Sequence, residues 1–307
     1  LIPTAPQFRN VKLLSSPVST YLTRLLLSSF SRKLTKFVEH LINHNGLVFM
    51  DYENVKSTEI GLGLTIQNPN YLPIPAIKQA MRKVVARNKT SIVNVCWVGR
   101  IVDFKYFILK RLLDDLSILA DHEALVFDVT IVGDGSHLNQ LKDYSTGIES
   151  YNINFIEHLE ESELNSFLIN EVDILCAMGT SALEGAKFGV PTILLDIAYS
   201  EVPETYVYRW LFQRDGSTLG ESLRNYKSNG CSYNSLKRLI EECSNDESVI
   251  SQRTYTYFLK NHSLEKVVEK LLGALGQSKC LWGDLRTKGL ISRGLIYPLY
   301  KKIKRVL

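Results

Sequence analysis

Two cations follow one apolar run: Arg100 and Lys105 in "VGRIVDFK" (98–105). An arginine offers forked hydrogen bonds and a lysine a point charge, a combination suited to a diphosphate. A second turn, "GDGS", sets Gly133, Asp134, Gly135 and Ser136 behind another apolar run. A third, "MGTSALE", brings Met178, Gly179, Thr180 and Ser181 to the start of a helical stretch. Unpaired N–H groups at such a start attract anions. Glu184 reads two ways. Ser181-Ala-Leu-Glu184 fits a helix-capping pattern, and a carboxylate there can also accept hydrogen bonds from a ligand's hydroxyls. The bland readings stand beside the chemical ones. Arg100 and Lys105 also read as solvated loop charges, and Gly-Asp-Gly also reads as a tight turn in which glycine supplies a positive φ.

Other chemistries find little support. The five cysteines (96, 176, 231, 243 and 280) form no C-x-x-C pair, and the six histidines show no metal-ligand spacing. Gly-Asp-Gly is not the dinucleotide fingerprint G-x-G-x-x-G, and Gly179-Thr180-Ser181 is not the hydrolase elbow G-x-S-x-G. No metal site is expected.

Positioning these residues requires strands that end where they begin. "SIVNVCWVG" (91–99), "LVFDVTIVG" (125–133), "INFIEH" (153–158), "VDILCAM" (172–178) and "PTILLD" (191–196) read as strands. Between them, 104–122, 136–145, 160–170 and 180–189 read as helices. Strictly alternating strands and helices make a doubly wound parallel sheet, with ligands at the strands' carboxyl ends. Beyond 196 the pattern reads as helix at 204–212, 235–243, 248–262 and 263–275. Upstream, 11–17 and 46–51 read as strands, 19–43 as a long helix, and the Pro/Asn-rich "IQNPNYLPIP" (66–75) as a linker.

The bulk numbers fit a globular protein: 307 residues, 45% hydrophobic, 22% charged, net charge +4. That charge is too small to argue for nucleic acid. No signal peptide and no spanning helix are expected, and unpaired cysteines favour a reducing, cytoplasmic setting. The last stretch, 286–307, carries seven Lys/Arg and no acid among Leu, Ile and Tyr. That composition suits an anionic membrane surface or a helix packed back on the protein.

In order and spacing, four segments resemble the donor-binding domain of the group 1 (family 4) glycosyltransferases of GT-B fold. These are "VGRIVDFK", "IVGDG", "INFIEHLEESEL" and "LEGAKFGVPTIL", and the resemblance covers about 66–200. It implies an α/β, GT-B type fold in which a Rossmann-like domain at 91–277 binds a nucleotide-diphosphate sugar. A partial or reduced N-terminal, acceptor-side domain at 1–65 would precede it. An interdomain linker and helix at 66–90 would join the two, and a basic tail at 278–307 would follow. By the resemblance Arg100 and Lys105 neutralise the leaving diphosphate and Glu184 binds the ribose. Gly99, Gly133, Gly135, Met178, Gly179, Thr180 and Ser181 line the donor, and His158 and Leu159 lie by the base. The family often carries two glutamates separated by seven residues; counting back from Glu184 reaches Cys176. The activity implied is hexosyl transfer from a nucleotide sugar to a glycan or lipid-linked acceptor, in capsule, lipopolysaccharide or glycolipid synthesis. It would be retaining and metal-independent, with no cofactor, at the inner face of the membrane. Two other readings share these residues: a non-catalytic GT-B-like module that binds a nucleotide or partner, and a GT-B sugar-nucleotide epimerase.

Overall fold

A computed structural model describes residues 32–84, 92–123, 125–214, 216–223 and 230–291. They fall in two compact units. One joins the residues up to Pro73 with those from Val268 onward, and the other runs Ile74–Val267.

The Ile74–Val267 unit is built on strands β1 (Ile92–Val98), β2 (Val126–Val132), β3 (Asn152–Ile156), β4 (Ile174–Ala177), β5 (Thr192–Leu194) and β6 (Arg209–Trp210). They form one sheet in the order β3-β2-β1-β4-β5-β6. The first five are parallel, and β6 runs antiparallel to β5 at the edge. Helices α3 (Asp103–Glu123), α4 (Leu138–Ser145), α5 (Glu161–Asn170) and α6 (Thr180–Ala186) cross between the parallel strands. Helices α7 (Ser232–Asn245) and α8 (Glu247–Asn261) follow, and α9 (Leu264–Gln277) leads out of the unit.

Successive strand residues face opposite sides. Val95, Trp97, Ile174, Cys176 and Ile193 join one apolar layer with α3 and α7. Cys96, Val98, Leu175, Ala177 and Leu194 join the other with α6 and α8. Burial on both faces explains why these strands read as unbroken apolar runs. The sequence-predicted elements from 91 to 196 all appear within a few residues of their expected bounds. Beyond β5 one expectation fails: 204–212, read as helix, forms β6 and the 3-10 turn Leu211–Gln213. Tyr206, Tyr208 and Trp210 are all fully buried, and burial of every second residue is a strand's pattern. Residues 66–84 contain no helix; 85–90 lie outside the described residues.

In the other unit, α1 is helical over 32–43 and α2 spans Tyr52–Leu62. Asp51 caps α2 by accepting from the Asn54 N–H at 2.8 Å, and Gly63 ends it at φ 65°. Val38, Leu47, Phe49, Val55 and Ile66 form a small core. The strand read at 46–51 is only an isolated parallel bridge, Phe49 to Tyr71. The carboxyl-terminal chain returns here. The Lys279 N–H donates to His44 O at 2.8 Å, and helix α10 (Trp282–Thr287) follows. The strand read at 11–17, the first part of the helix read at 19–43, and 292–307 lie outside the described residues. Among the described residues no helix is long and apolar enough to cross a membrane.

Candidate functional site

The sheet order reverses between β1 and β4, because α3 leaves β1 toward β2 while β4 packs on its other side. A crevice forms outside the carboxyl ends of strands at such a point. There an open cleft of about 660 Å³ is lined by Arg100, Phe104, Lys105, His137, Thr180 and Ser181, with Val102, Asp103 and Ser136. Three separate turns therefore meet, one after each of β1, β2 and β4.

The glycines make that meeting possible. A Cβ on Gly133 (φ 144°) would lie 2.1 Å from the Gly99 carbonyl oxygen, and one on Gly135 (φ 153°) 2.1 Å from that of Ile101. The first two turns are also bonded together. Ile101 N–H donates to Asp134 O at 2.8 Å, and His137 N–H donates to Ile101 O at 3.0 Å. Gly99 (φ 145°) offers the same absence of bulk to side chains: a Cβ there would sit 3.2 Å from both Lys105 Nζ and Ser181 Oγ. These three glycines permit the close approach of the turns, but none of them is among the residues lining the cleft.

Arg100 is exposed, and Lys105 is half-buried on the first turn of α3. The Lys105 ammonium lies 5.5 Å from the Trp97 ring centre and 5.9 Å from that of Phe104. Burial, and then the neighbouring Arg100, push its pKa below the ordinary lysine value. Among the described residues neither cation has a carboxylate partner. Two like charges side by side, one of them partly stripped of water and neither ion-paired with the Asp103 that shares the cleft, favour an anion there.

The remaining expected residues divide. Thr180 and Ser181 line the cleft. Gly179 is the N-cap of α6 with no side-chain cap, and its N–H donates to Leu219 O at 2.7 Å. The capping role read for Ser181 and Glu184 is therefore not realised. A capping contact of that kind occurs at α5, where Glu163 accepts the Glu160 N–H at 3.0 Å. Glu184 pairs instead with the buried Lys187, Oε2 to Nζ 2.6 Å. It lies four residues beyond Thr180, on the same helix face, but is not among the residues lining the cleft. The Met178 side chain is buried in the α3 layer. His158 is largely exposed and bonds Glu160 at 3.1 Å, Leu159 packs against the α6 layer, and neither lines the cleft. Cys176 is fully buried within β4. The position eight before Glu184 thus lies inside the sheet, and only Met178 and Gly179 separate that strand from α6.

Sequence reasoning missed His137, whose Nδ1 lies 3.0 Å from Ser136 Oγ. It also missed Asp196, which lies just past β5 and fixes the segment that meets Gly179. Asp196 accepts the Glu221 N–H at 2.8 Å and pairs with the buried Arg214. Burial pushes the Asp196 pKa up, and Arg214 opposes the shift. Its place at a strand's carboxyl end was the available signal. Among the described residues no group of three or more His, Cys, Asp or Glu is placed to hold a metal ion.

No protein-family model and no curated protein matches the chain. Solved structures do. The apo lipopolysaccharide outer core galactosyltransferase WaaB aligns at 15% identity and TM-score 0.48, over 75% of this chain and 61% of its own. TarM aligns at 14% identity and TM-score 0.51, over 78% of this chain and 45% of its own. An S. aureus TarM point mutant in complex with fondaparinux, alpha-GlcNAc-glycerol and UDP aligns at 13% identity and TM-score 0.50, over the same shares. The chain thus spans between 45% and 61% of the length of these structures. At such identities the two TarM alignments speak of architecture: a Rossmann-like sheet with flanking helices and a smaller accompanying unit, the GT-B fold.

Proposed function

We propose that the cleft binds the diphosphate of a nucleotide sugar and that the chain transfers the sugar to a glycan or lipid-linked acceptor. The observation that carries this reading is the unpaired cation couple, Arg100 and Lys105, facing a cleft at the sheet's switch point. Glycosyl transfer builds negative charge on the departing phosphate oxygen, and fixed cations stabilise that charge most where they need not reorganise. In this reading Arg100 forks onto the diphosphate, and Lys105, leaning on Trp97, neutralises the leaving oxygen without a metal ion. N–H groups around Gly179 and Thr180 hold phosphate or sugar. Glu184 takes the ribose hydroxyls, with Lys187 fixing one of its oxygens. Departure and attack on one face of the sugar, with retention, is part of the proposal. So are a hexosyl donor, a capsule or lipopolysaccharide product, and action at the cytoplasmic face of a membrane. The missing acid at Cys176 favours a second reading, nucleotide binding without transfer.

Thermal shift and calorimetry with a panel of nucleoside diphosphates and their sugars test the reading. One of them is expected to stabilise the protein, and Arg100→Ala and Lys105→Ala should each weaken its binding at least about tenfold, the scale of one lost charge-assisted contact. Stabilisation by none of the panel refutes donor binding, and stabilisation unchanged in both variants moves the site elsewhere. Binding without sugar transfer to any lipid-linked or glycan acceptor selects the second reading.

A further inference from the structure

One apolar surface is left over from both cores. Along α9, Val268, Leu271, Leu272 and Leu275 are exposed, followed by Leu281 and Trp282 just before and at the start of α10. Leu272, Leu275, Leu281 and Trp282 are 62–70% exposed. The four α9 positions, spaced by three and four residues, form one stripe on the helix. The charges of α9 itself, Glu265 with Lys266 and Glu269 with Lys270, cancel. Around Leu281 and Trp282 the balance differs: Lys279, Arg286 and Lys288 are exposed, against one acid, Asp284.

An apolar stripe, a tryptophan at its end and flanking cations are what the boundary of an anionic bilayer accommodates: acyl chains for the first, the headgroup zone for the second, lipid phosphates for the third. A second copy of the chain fits less well. A two-fold contact over this patch would bring the same three cations toward their own mates.

We propose that the exposed face of α9, with Leu281 and Trp282, is a docking surface for an anionic lipid bilayer, gripped at its rim by Lys279, Arg286 and Lys288. None of these residues lines the donor cleft; the proposal gives a surface to the membrane-face action proposed above, and vesicle binding tests it separately from nucleotide binding.

The test uses the full chain and vesicles of phosphatidylcholine alone or mixed with phosphatidylglycerol. The other two tryptophans, Trp97 and Trp210, are fully buried, so quenching by iodide reports Trp282. Anionic vesicles are expected to sediment the protein, shift its fluorescence to the blue and shield Trp282 from iodide. Leu272→Glu with Leu275→Glu should abolish all three while far-ultraviolet circular dichroism stays unchanged. Charge reversal at Lys279 or Arg286 should lower partitioning by about fivefold or more per site. Sedimentation with Trp282 still quenched would place the contact on another segment and overturn the proposal. So would protein left in the supernatant, or equal binding to both kinds of vesicle. Shielding of Trp282 without lipid, rising with protein concentration, would assign the face to a second copy instead.

Discussion

Replacing Glu184 by alanine should destabilise the protein before it changes any chemistry. The Lys187 side chain is 8% exposed and that of Glu184 35% exposed, with 2.6 Å between Nζ and Oε2. Stripping a buried charge of its partner costs about 3–5 kcal/mol. Water reaching past the half-open Glu184 position lowers that to about 2–3 kcal/mol. For a protein of this size the loss corresponds to a fall in melting temperature of roughly 5–10 °C. Lys187→Met removes the orphaned charge and keeps an apolar stem where the ammonium now lies 5.2 Å from the Phe188 ring centre. The pair Glu184→Ala, Lys187→Met should therefore recover at least about half of the loss, a coupling of about 1–2 kcal/mol in a double-mutant cycle. Calorimetric melts of the four proteins decide it. Glu184→Ala melting with the wild type, or a double variant no better than the single, would refute the reasoning. The cycle also separates two roles of one residue. Weakened nucleoside diphosphate binding that persists at restored stability belongs to the ligand contact, not to the fold.

Three further outcomes follow from the same geometry. Because burial and Arg100 hold the Lys105 pKa below the ordinary lysine value, a bound anion should raise it. Ligand binding at alkaline pH is then expected to take up protons in calorimetry across buffers of different ionisation enthalpy, and Lys105→Met should abolish the uptake. In the free protein the sign is opposite: the charged lysine is the disfavoured form, so its penalty on stability is relieved as pH rises through the lowered value. Gly133→Ala sets a Cβ against the Gly99 carbonyl. It should cost about 2–4 kcal/mol by chemical denaturation, combining backbone strain with a backbone clash, and a wild-type midpoint would count against the interlocked turns. Of the five thiols, Cys231 is exposed and Cys280 partly so, while Cys96, Cys176 and Cys243 are buried. Burial pushes the Cys243 pKa up to about 12 and those of Cys96 and Cys176 higher still. Aromatic disulfide reagents should therefore titrate no more than two thiols before unfolding, and a third fast thiol would contradict that burial.

The α/β core was legible because two independent signals agreed from 91 to 196. Each apolar run is closed by a turn residue, and each helical stretch fills the span a crossover needs. The same agreement placed Arg100, Lys105, Thr180 and Ser181 in one cleft, since carboxyl ends of parallel strands lie on one edge of the sheet. Glu184 was harder. A sequence pattern such as S-x-x-E names two residues that can meet, not the competitor that wins, and Lys187, three residues on and buried, takes the carboxylate. His137 gave no signal, because it lines the cleft only through the approach of the second turn to the first. The 204–212 segment failed for a periodic reason. Tyr206, Tyr208 and Trp210 are strand-spaced, yet Val207 and Leu211 add helical neighbours to the same window. Within 32–73 the apolar residues are nearly as frequent as elsewhere, but the described residues there form two helices and one isolated bridge rather than a sheet, so strand-and-helix alternation had nothing to report.

The smaller unit is discontinuous, and that sets an order of events. Its contacts join residues far apart in the chain, as when Asn45 bonds Gln277 O across 232 positions and the Lys288 ammonium lies 3.4 Å from His40 Nδ1 across 248. Closing so long a loop is slow unless the intervening chain is already compact. The α/β unit between them is contiguous, so during synthesis it has all it needs once Val267 has left the ribosome. Residues 32–73 hold a small core of their own, but gain these contacts only when the final stretch has been made. A chain stopped shortly after Val268 is thus expected to carry a folded sheet with its 32–73 segment held by fewer contacts, which makes that segment more open to proteolysis on a stalled or truncated product than in the full chain.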